Sequence, residues 1–166
     1  MRFTLIDRIV ELELGARIAA VKNVSLAEDY LRDHFPRFPV LPGVMMLEAM
    51  TQAGAWLIRA TDDFADSIIT LREARNVKYA DFVDPGQTLE VHAEIKQRAD
   101  RTTNLMTRGS VDGVTAVRAR LVLAQSNLAD TRPEAATTDR YIKREMRSLF
   151  ALLCRGCETA VGLTND

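Results

Sequence analysis

Residues 38–58 read FPVLPGVMMLEAMTQAGAWLI, and Glu48 is the only ionisable side chain among them. Their length would permit a membrane span. Against that, Pro39 and Pro42 break the start of the stretch, and Glu48 and Gln52 sit inside it. A lone carboxylate at bilayer depth is costly and needs a partner, which no other segment of this chain supplies. The stretch therefore reads as a helix over residues 43–60, buried inside a soluble protein, with Pro42 just at its start where proline is well placed. At about 100° per residue, and taking Glu48 as zero, Gln52 falls near 40°, Arg59 near 20° and Thr51 near −60°. The polar residues share one stripe, and a helix that is otherwise apolar all round must be enclosed on most sides.

What encloses it is legible on both flanks. Upstream, Phe3, Leu5, Ile9, Leu12 and Leu14 lead to Gly15-Ala16-Arg17, and Ile18-Ala19-Ala20-Val21 follows, so a hairpin is expected. A short turn over residues 26–31 precedes a loop carrying Pro36, Pro39 and Pro42, whose fixed φ angles exclude helix before Pro42. Downstream, strands are expected near residues 67–83, 88–98, 102–112 and 114–125. Asp84-Pro85-Gly86, Ala99-Asp100-Arg101 and Asp112-Gly113 supply the turns between them. Val91, Ala93 and Ile95 alternate with Glu90, His92, Glu94 and Lys96, the pattern of an antiparallel strand with one wet face. Residues 126–139 are polar, contain Pro133 and read as a linker. Residues 139–154 read as an amphipathic helix with Tyr141, Met146, Leu149, Leu152 and Leu153 on one side and Lys143, Arg144 and Arg147 on the other. The sum is an α+β domain: a curved, mostly antiparallel sheet of about six strands wrapped around a central helix. Open sheet edges make a strand-edge dimer plausible.

Composition narrows the function. The chain has 166 residues, 47% of them apolar, with 22 Lys plus Arg against 23 Asp plus Glu and a formal net charge of −1. One domain is expected at this size. Near-neutrality argues against nucleic-acid binding by counterion release. The start, Met1-Arg2-Phe3-Thr4-Leu5-Ile6-Asp7-Arg8, has neither the apolar run nor the cleavage site of a secretory leader. Cys154 and Cys157 are the only cysteines, too few for a disulfide framework, so a reducing cytoplasm is the expected compartment. Cys154-Arg155-Gly156-Cys157 stands without a second pair and follows a helix, so two ordinary thiols are expected and no metal.

Three residues could carry chemistry. Glu48 lies in the second turn of the apolar helix, where burial disfavours an ionised carboxyl and the helix N-terminus favours it. It could equally be the wet member of the polar stripe. His34 opens His34-Phe35-Pro36-Arg37-Phe38-Pro39, the loop leading into the helix, although a lone histidine is more often structural. Gly43, right after Pro42, would let backbone N–H groups approach a ligand, or simply start a helix. His92 reads as ordinary surface. Together a base, an acid and backbone donors at one helix start are what proton abstraction next to a carbonyl requires.

With these residues in view, the chain resembles a known family. His34-Phe35-Pro36, Pro39-Val40-Leu41-Pro42-Gly43-Val44, Leu47-Glu48-Ala49-Met50 and Gln52-Ala53 match the motif of the (3R)-hydroxyacyl-acyl-carrier-protein dehydratases of FabZ/FabA type, which have the hotdog fold. Leu5-Ile6-Asp7-Arg8-Ile9, Val21-Lys22-Asn23-Val24 and Asp84-Pro85-Gly86 agree with it, and the resemblance covers residues 3–125. It implies that His34 is the base that removes the C2 proton of a 3-hydroxyacyl thioester. It also implies that Glu48 of the partner subunit protonates the departing hydroxyl, and that the Gly43 and Val44 amides polarise the thioester carbonyl. Phe35, Met45, Met46, Met50 and Trp56 would line an acyl tunnel or fill the core, and Pro36, Pro39, Pro42 and Gln52 support the motif. No cofactor and no metal are implied. The partners are acyl carrier protein and a second copy, as a dimer or a trimer of dimers, with no nucleic acid and no membrane. A basic rim for the acidic carrier is expected among Arg72, Arg75, Lys78, Lys96, Arg98 and Arg101.

The chain departs from the pattern at Asp33 and Arg37, where glycine is usual, and at Phe38 in place of a commonly polar residue. A carboxylate at Asp33 would favour a charged imidazole at His34 if close, and Arg37 would add bulk at the site mouth. A hotdog thioesterase using the same carboxylate on water, or a non-catalytic acyl-thioester binder, are the alternatives. Residues 1–126 are the expected dehydratase-like domain; 127–166 form an appended linker and helix.

Overall fold

The computed structural model describes residues 3–32 and 34–160. Strands β1 (Arg8–Glu13) and β2 (Arg17–Asn23) form the expected hairpin, followed by a 3-10 turn at Asp29–Arg32 and the proline loop. Helix α1 spans Gly43–Thr61. The chain then runs through β3 (Ile68–Tyr79), β4 (Thr88–Ala99), β5 (Thr102–Val111) and β6 (Val114–Ser126), all in antiparallel register with their neighbours. Helix α2 (Ala136–Leu153) begins three residues before the expected start, and the polar linker contains 3-10 turns at Leu128–Asp130 and Pro133–Ala135. Among the described residues no helix is long and apolar enough to cross a membrane.

Among the described residues the sheet order is β3-β6-β5-β4-β2-β1-β7, seven strands where about six are expected. The additional strand, β7 (Glu158–Ala160), pairs parallel to Glu11, Leu12 and Glu13 of β1. It is too short to announce itself by alternation. Just before it lies a second departure: Cys154 and Cys157 are joined in a disulfide instead of standing as two thiols. The four-residue loop turns at Gly156 (φ +77°), a left-handed conformation that glycine adopts without cost, and leads directly from α2 into β7.

The sheet curls around α1 because each central strand turns an apolar face inward. Leu89, Val91 and Ala93 of β4, Leu105 of β5, and Val117, Ala119, Leu121 and Leu123 of β6 are all buried. Met46, Ala49, Met50, Ala53, Leu57 and Ile58 meet them from α1. Full burial of side chains of this size contributes about 2 kcal/mol each. Gly54 lets the helix come close: a Cβ there would lie 2.5 Å from Leu105 Cδ1.

Helix α2 is fastened to the C-terminal end of α1. Phe150 packs on Trp56 and edge-on to Phe64, with ring centroids 6.1 and 5.6 Å away. Arg147 donates to the Asp63 carboxylate and carbonyl, both at 2.5 Å, and its guanidinium lies over Phe64. At the start of α2, Asp139 is buried and accepts from the Leu128 and Ala129 amides at 2.9 Å, as well as from Ser67 Oγ. Burial pushes the Asp139 carboxyl up, but these three donors outweigh it and hold it below the usual carboxylate range.

Candidate active site

The loop before α1 is pinned from both sides. Leu41 N–H donates to the Val83 carbonyl at 2.8 Å, and Val40, Leu41 and Pro42 are buried. Phe38 N–H closes a turn on the Phe35 carbonyl at 2.7 Å, and the Phe38 ring meets Phe82 edge-on. Phe35 takes a left-handed φ of +50°, uncommon for an aromatic residue. Arg37 is not among the residues with positive φ, so the conformation at that position does not call for glycine. Its side chain is exposed. Asp33, the other departure, lies outside the described residues.

His34 is half-buried, with its ring 4.4 Å from that of Phe35. The turn in front of it is braced by a polar cluster that sequence reasoning left without a role. Lys22 is buried, and its ammonium donates to Glu28 Oε1 at 2.6 Å and to the Asn23 carbonyl at 2.7 Å. The Tyr30 hydroxyl is buried beside it, and burial, then Glu28 and Asp7, push that phenol up to about 12. Only the Val21-Lys22-Asn23-Val24 motif pointed here. A buried lysine is not distinguishable by pattern from an exposed one on a strand.

At the start of α1, Pro42 accepts from the amides of Met45 and Met46. Among the described residues no acceptor takes the Gly43 and Val44 N–H groups, the orphan donors that every helix N-terminus leaves. Gly43 lies close under Tyr79: a Cβ would lie 3.0 Å from Tyr79 Cε1 and 3.1 Å from Cδ1, so the ring would have to give by a few tenths of an ångström. Tyr79 carries no signal of this in the sequence, because nothing in the strand pattern shows that β3 ends against the helix start.

Glu48 is half-buried and accepts at Oε1 from Gln52 Nε2 at 2.9 Å. Gln52 also donates to the Phe3 carbonyl and accepts from Leu5 N–H, both at 2.9 Å. The polar stripe of α1 is therefore not a solvated one. The N-terminal segment covers Gln52, Thr51 is buried with its hydroxyl on the Leu47 carbonyl, and Arg59 lies over Trp56. Burial pulls the Arg59 guanidinium down to about 10. Met46, Met50 and Trp56 sit in the core, Met45 is half-buried and Phe35 is exposed.

Within one chain no hydrogen bond or ion pair joins His34 to Glu48 among the described residues. The loop before α1 and the helix itself offer an imidazole, a carboxyl fixed by an amide, and two N–H groups without an acceptor among the described residues. Such groups, if brought together, can take a proton from a carbon next to a carbonyl and give one to a departing oxygen while polarising that carbonyl. Of the other residues in the reading, His92 lies on the outer face of β4, where burial and then Arg108 hold its imidazole below the ordinary range. Arg98 is tied to Asp62, and Arg101 to Asp66 and Asp130, so neither is an unpaired rim cation.

A family model described as a FabA-like domain matches residues 1–120. The chain is 33% identical over 124 residues to the 3-hydroxyacyl-[acyl-carrier-protein] dehydratase FabZ of Ruminiclostridium cellulolyticum, covering 75% of this chain and 87% of that protein. It is 39% identical over 123 residues to the protein of the same name from Thiobacillus denitrificans, covering 72% and 85%. Among solved structures, the dehydratase heterocomplex ApeI:P from Xenorhabdus doucetiae is similar in fold. Its TM-score is 0.62 at 19% identity, over 81% of this chain and 90% of that one.

Proposed function

Because the chain belongs to the FabA-like family and is a 3-hydroxyacyl-[acyl-carrier-protein] dehydratase of fatty acid biosynthesis, we propose that its reaction runs at His34, Glu48 and the Gly43 and Val44 amides. In this reading the 3-hydroxyacyl thioester lies across the start of α1 with its carbonyl oxygen on the two orphan N–H groups. Negative charge that develops on that oxygen is then met by fixed donors. His34 takes the C2 proton. The Glu48 carboxyl gives a proton to the C3 hydroxyl, the C3–O bond breaks, and water leaves behind a trans-2-enoyl thioester. Proton return from imidazolium to carboxylate resets the pair.

The observation that carries this assignment is the Glu48–Gln52 bond. It gives the carboxyl a fixed orientation on a rigid helix instead of a mobile place on a surface. Phe35, Met45, Met46, Met50 and Trp56 remain the candidates for contact with the acyl chain. The dehydratase-like domain is taken as residues 1–126, close to the span of the family match, with 127–166 as an appendage. The cytoplasmic location expected from the sequence is part of the reading, and the state of Cys154 and Cys157 would depend on it.

The reading includes a homodimer in which each site takes Glu48 of the partner subunit. Three observations support it. Among the described residues no hydrogen bond or ion pair joins His34 to Glu48 within one chain. Strand β3 lies at the edge of the sheet. Phe35, Phe38, Val44, Tyr79 and Phe82 are exposed around the helix start and the end of β3. Subunit mixing tests it. His34→Ala and Glu48→Gln, each inactive alone, should regain up to about a quarter of wild-type activity when unfolded together and refolded, because mixed dimers hold one intact site. No recovery, with mixed dimers shown to form, would place both residues of each site in one chain.

A further inference from the structure

We propose that Lys22 and Glu28 are positioning residues for the dehydration: their ion pair sets where His34 stands and so acts on kcat through the imidazole. This rests on the dehydratase reading above, in which His34 takes the C2 proton, and adds two residues to which that reading gives no part.

His34 needs help of this kind. Its ring lies 4.4 Å from that of Phe35, and among the described residues it has no hydrogen bond or ion pair. A base is ordinarily oriented by a third group bonded to it. Here the direction must come from the backbone on either side. Downstream, the Phe38 amide closes on the Phe35 carbonyl and the Leu41 amide on the Val83 carbonyl, at 2.7 and 2.8 Å. Upstream, the chain reaches His34 through the 3-10 turn at Asp29–Arg32, which Glu28 opens: its N–H donates to the Ser25 carbonyl and its carbonyl accepts from Leu31 N–H, both at 3.1 Å.

That turn has one directional tie to the sheet. Lys22, 4% exposed, donates to Glu28 Oε1 at 2.6 Å and to the Asn23 carbonyl at 2.7 Å. Asp7 Oδ2 lies 3.9 Å from the same ammonium and accepts from Asn23 N–H at 2.6 Å. The far end of the tie is rigid, because Lys22 stands opposite Leu89 in the β2–β4 ladder and the Val24 amide bonds the Gln87 carbonyl just beyond. The other contacts of the turn do not supply a direction. Leu31 is buried, which holds the turn on the core without orienting it. The Tyr30 hydroxyl is buried but has no hydrogen-bond partner among the described residues. Lysine is almost never this buried unless paired, and a charge-assisted bond fixes geometry where apolar burial does not. At 4% exposure Lys22 is out of reach of a substrate, so its effect on the reaction passes through the turn.

Two variants separate positioning from stability. Lys22→Met leaves Glu28 without its cation and should lower both stability and kcat, the latter about tenfold or more, with KM within about twofold of wild type. Lys22→Met/Glu28→Met removes the whole pair, so its denaturant midpoint should return toward wild type while kcat stays low. The double variant also serves if Lys22→Met does not fold. In a His34→Ala background, where there is no imidazole to position, adding either change should lower kcat no further. Recovery of kcat together with stability in the double variant would mean a merely structural pair and overturns the proposal. So does an unchanged kcat in Lys22→Met, or a further loss in the His34→Ala background. A wild-type protein that converts no 3-hydroxyacyl thioester would instead overturn the dehydratase reading, and this proposal with it.

Discussion

Gln52 Nε2 donates a 2.9 Å hydrogen bond to Glu48 Oε1 one turn back on α1, while Gln52 Oε1 accepts the Leu5 amide at 2.9 Å from a segment 47 residues upstream. One side chain thus orients the carboxyl and ties the N-terminal segment to the central helix.

Gln52→Leu should separate these two duties. Leaving the Leu5 amide and the Phe3 carbonyl without partners should cost about 1–3 kcal/mol of stability, read from a denaturant midpoint. Loss of the bond to Glu48 should lower kcat about tenfold with a smaller effect on KM. Gln52→Glu should not rescue activity, because it sets a second carboxylate four residues from the first.

Gly43→Ala should be felt through Tyr79. The added methyl would sit 3.0 Å from Tyr79 Cε1, so the ring must move, at a cost of about 1–2 kcal/mol. Tyr79→Leu in the same chain should recover part of that loss, and a double-mutant cycle on unfolding free energies would show the coupling. Tyr79→Phe should recover none, since the contact is with ring carbons.

Attachment of α2 should depend on pH through Asp139. Its carboxyl is held below the ordinary range in the folded protein, so the folded state binds its proton less readily than the unfolded one. The stabilisation is present above the unfolded value, about 4, and is lost as pH falls through the lower folded value. Hydrogen exchange of the Leu128 and Ala129 amides should rise as pH is lowered through that range, beyond the intrinsic trend. Asp139→Asn should show the faster exchange already at neutral pH and lose the extra pH dependence.

Reduction of the Cys154–Cys157 bond should cost about 1–2 kcal/mol at most, because the loop it closes is short. The effect should be local: amide protection along β7 and its β1 partners falls, while dehydration is unaffected. A large loss of activity would connect this end of the molecule to the site in a way the packing does not explain.

The sequence made the central architecture legible because its signals were strong and local. The apolar run over residues 38–58 could only be a buried helix, and the alternation in β4 and β6 assigned a face to every residue. What escaped depended on contacts distant in sequence. Nothing near Tyr79 shows that it abuts Gly43, and nothing near Lys22 shows that it is buried and bonded to Glu28. Gln52 was visible as part of a motif, but its bonds to Phe3 and Leu5 needed the fold. Strand β7 and the disulfide escaped for another reason. Three residues carry no period, and a single Cys-x-x-Cys pattern fits thiols as well as a closed loop. The site residues His34, Gly43 and Glu48 were legible through their spacing; their surroundings were not.

The most direct measurement is a turnover assay on purified protein with 3-hydroxyacyl thioesters of acyl carrier protein across a range of chain lengths. It should read enoyl product and free thiol together, for wild type, His34→Ala and Glu48→Gln. The account predicts enoyl product without thiol release from wild type, and losses of about 10²-fold or more in each variant. Free thiol in place of enoyl product would mean thioester hydrolysis, and enoyl formation that survives either substitution would contradict the assignment of the site.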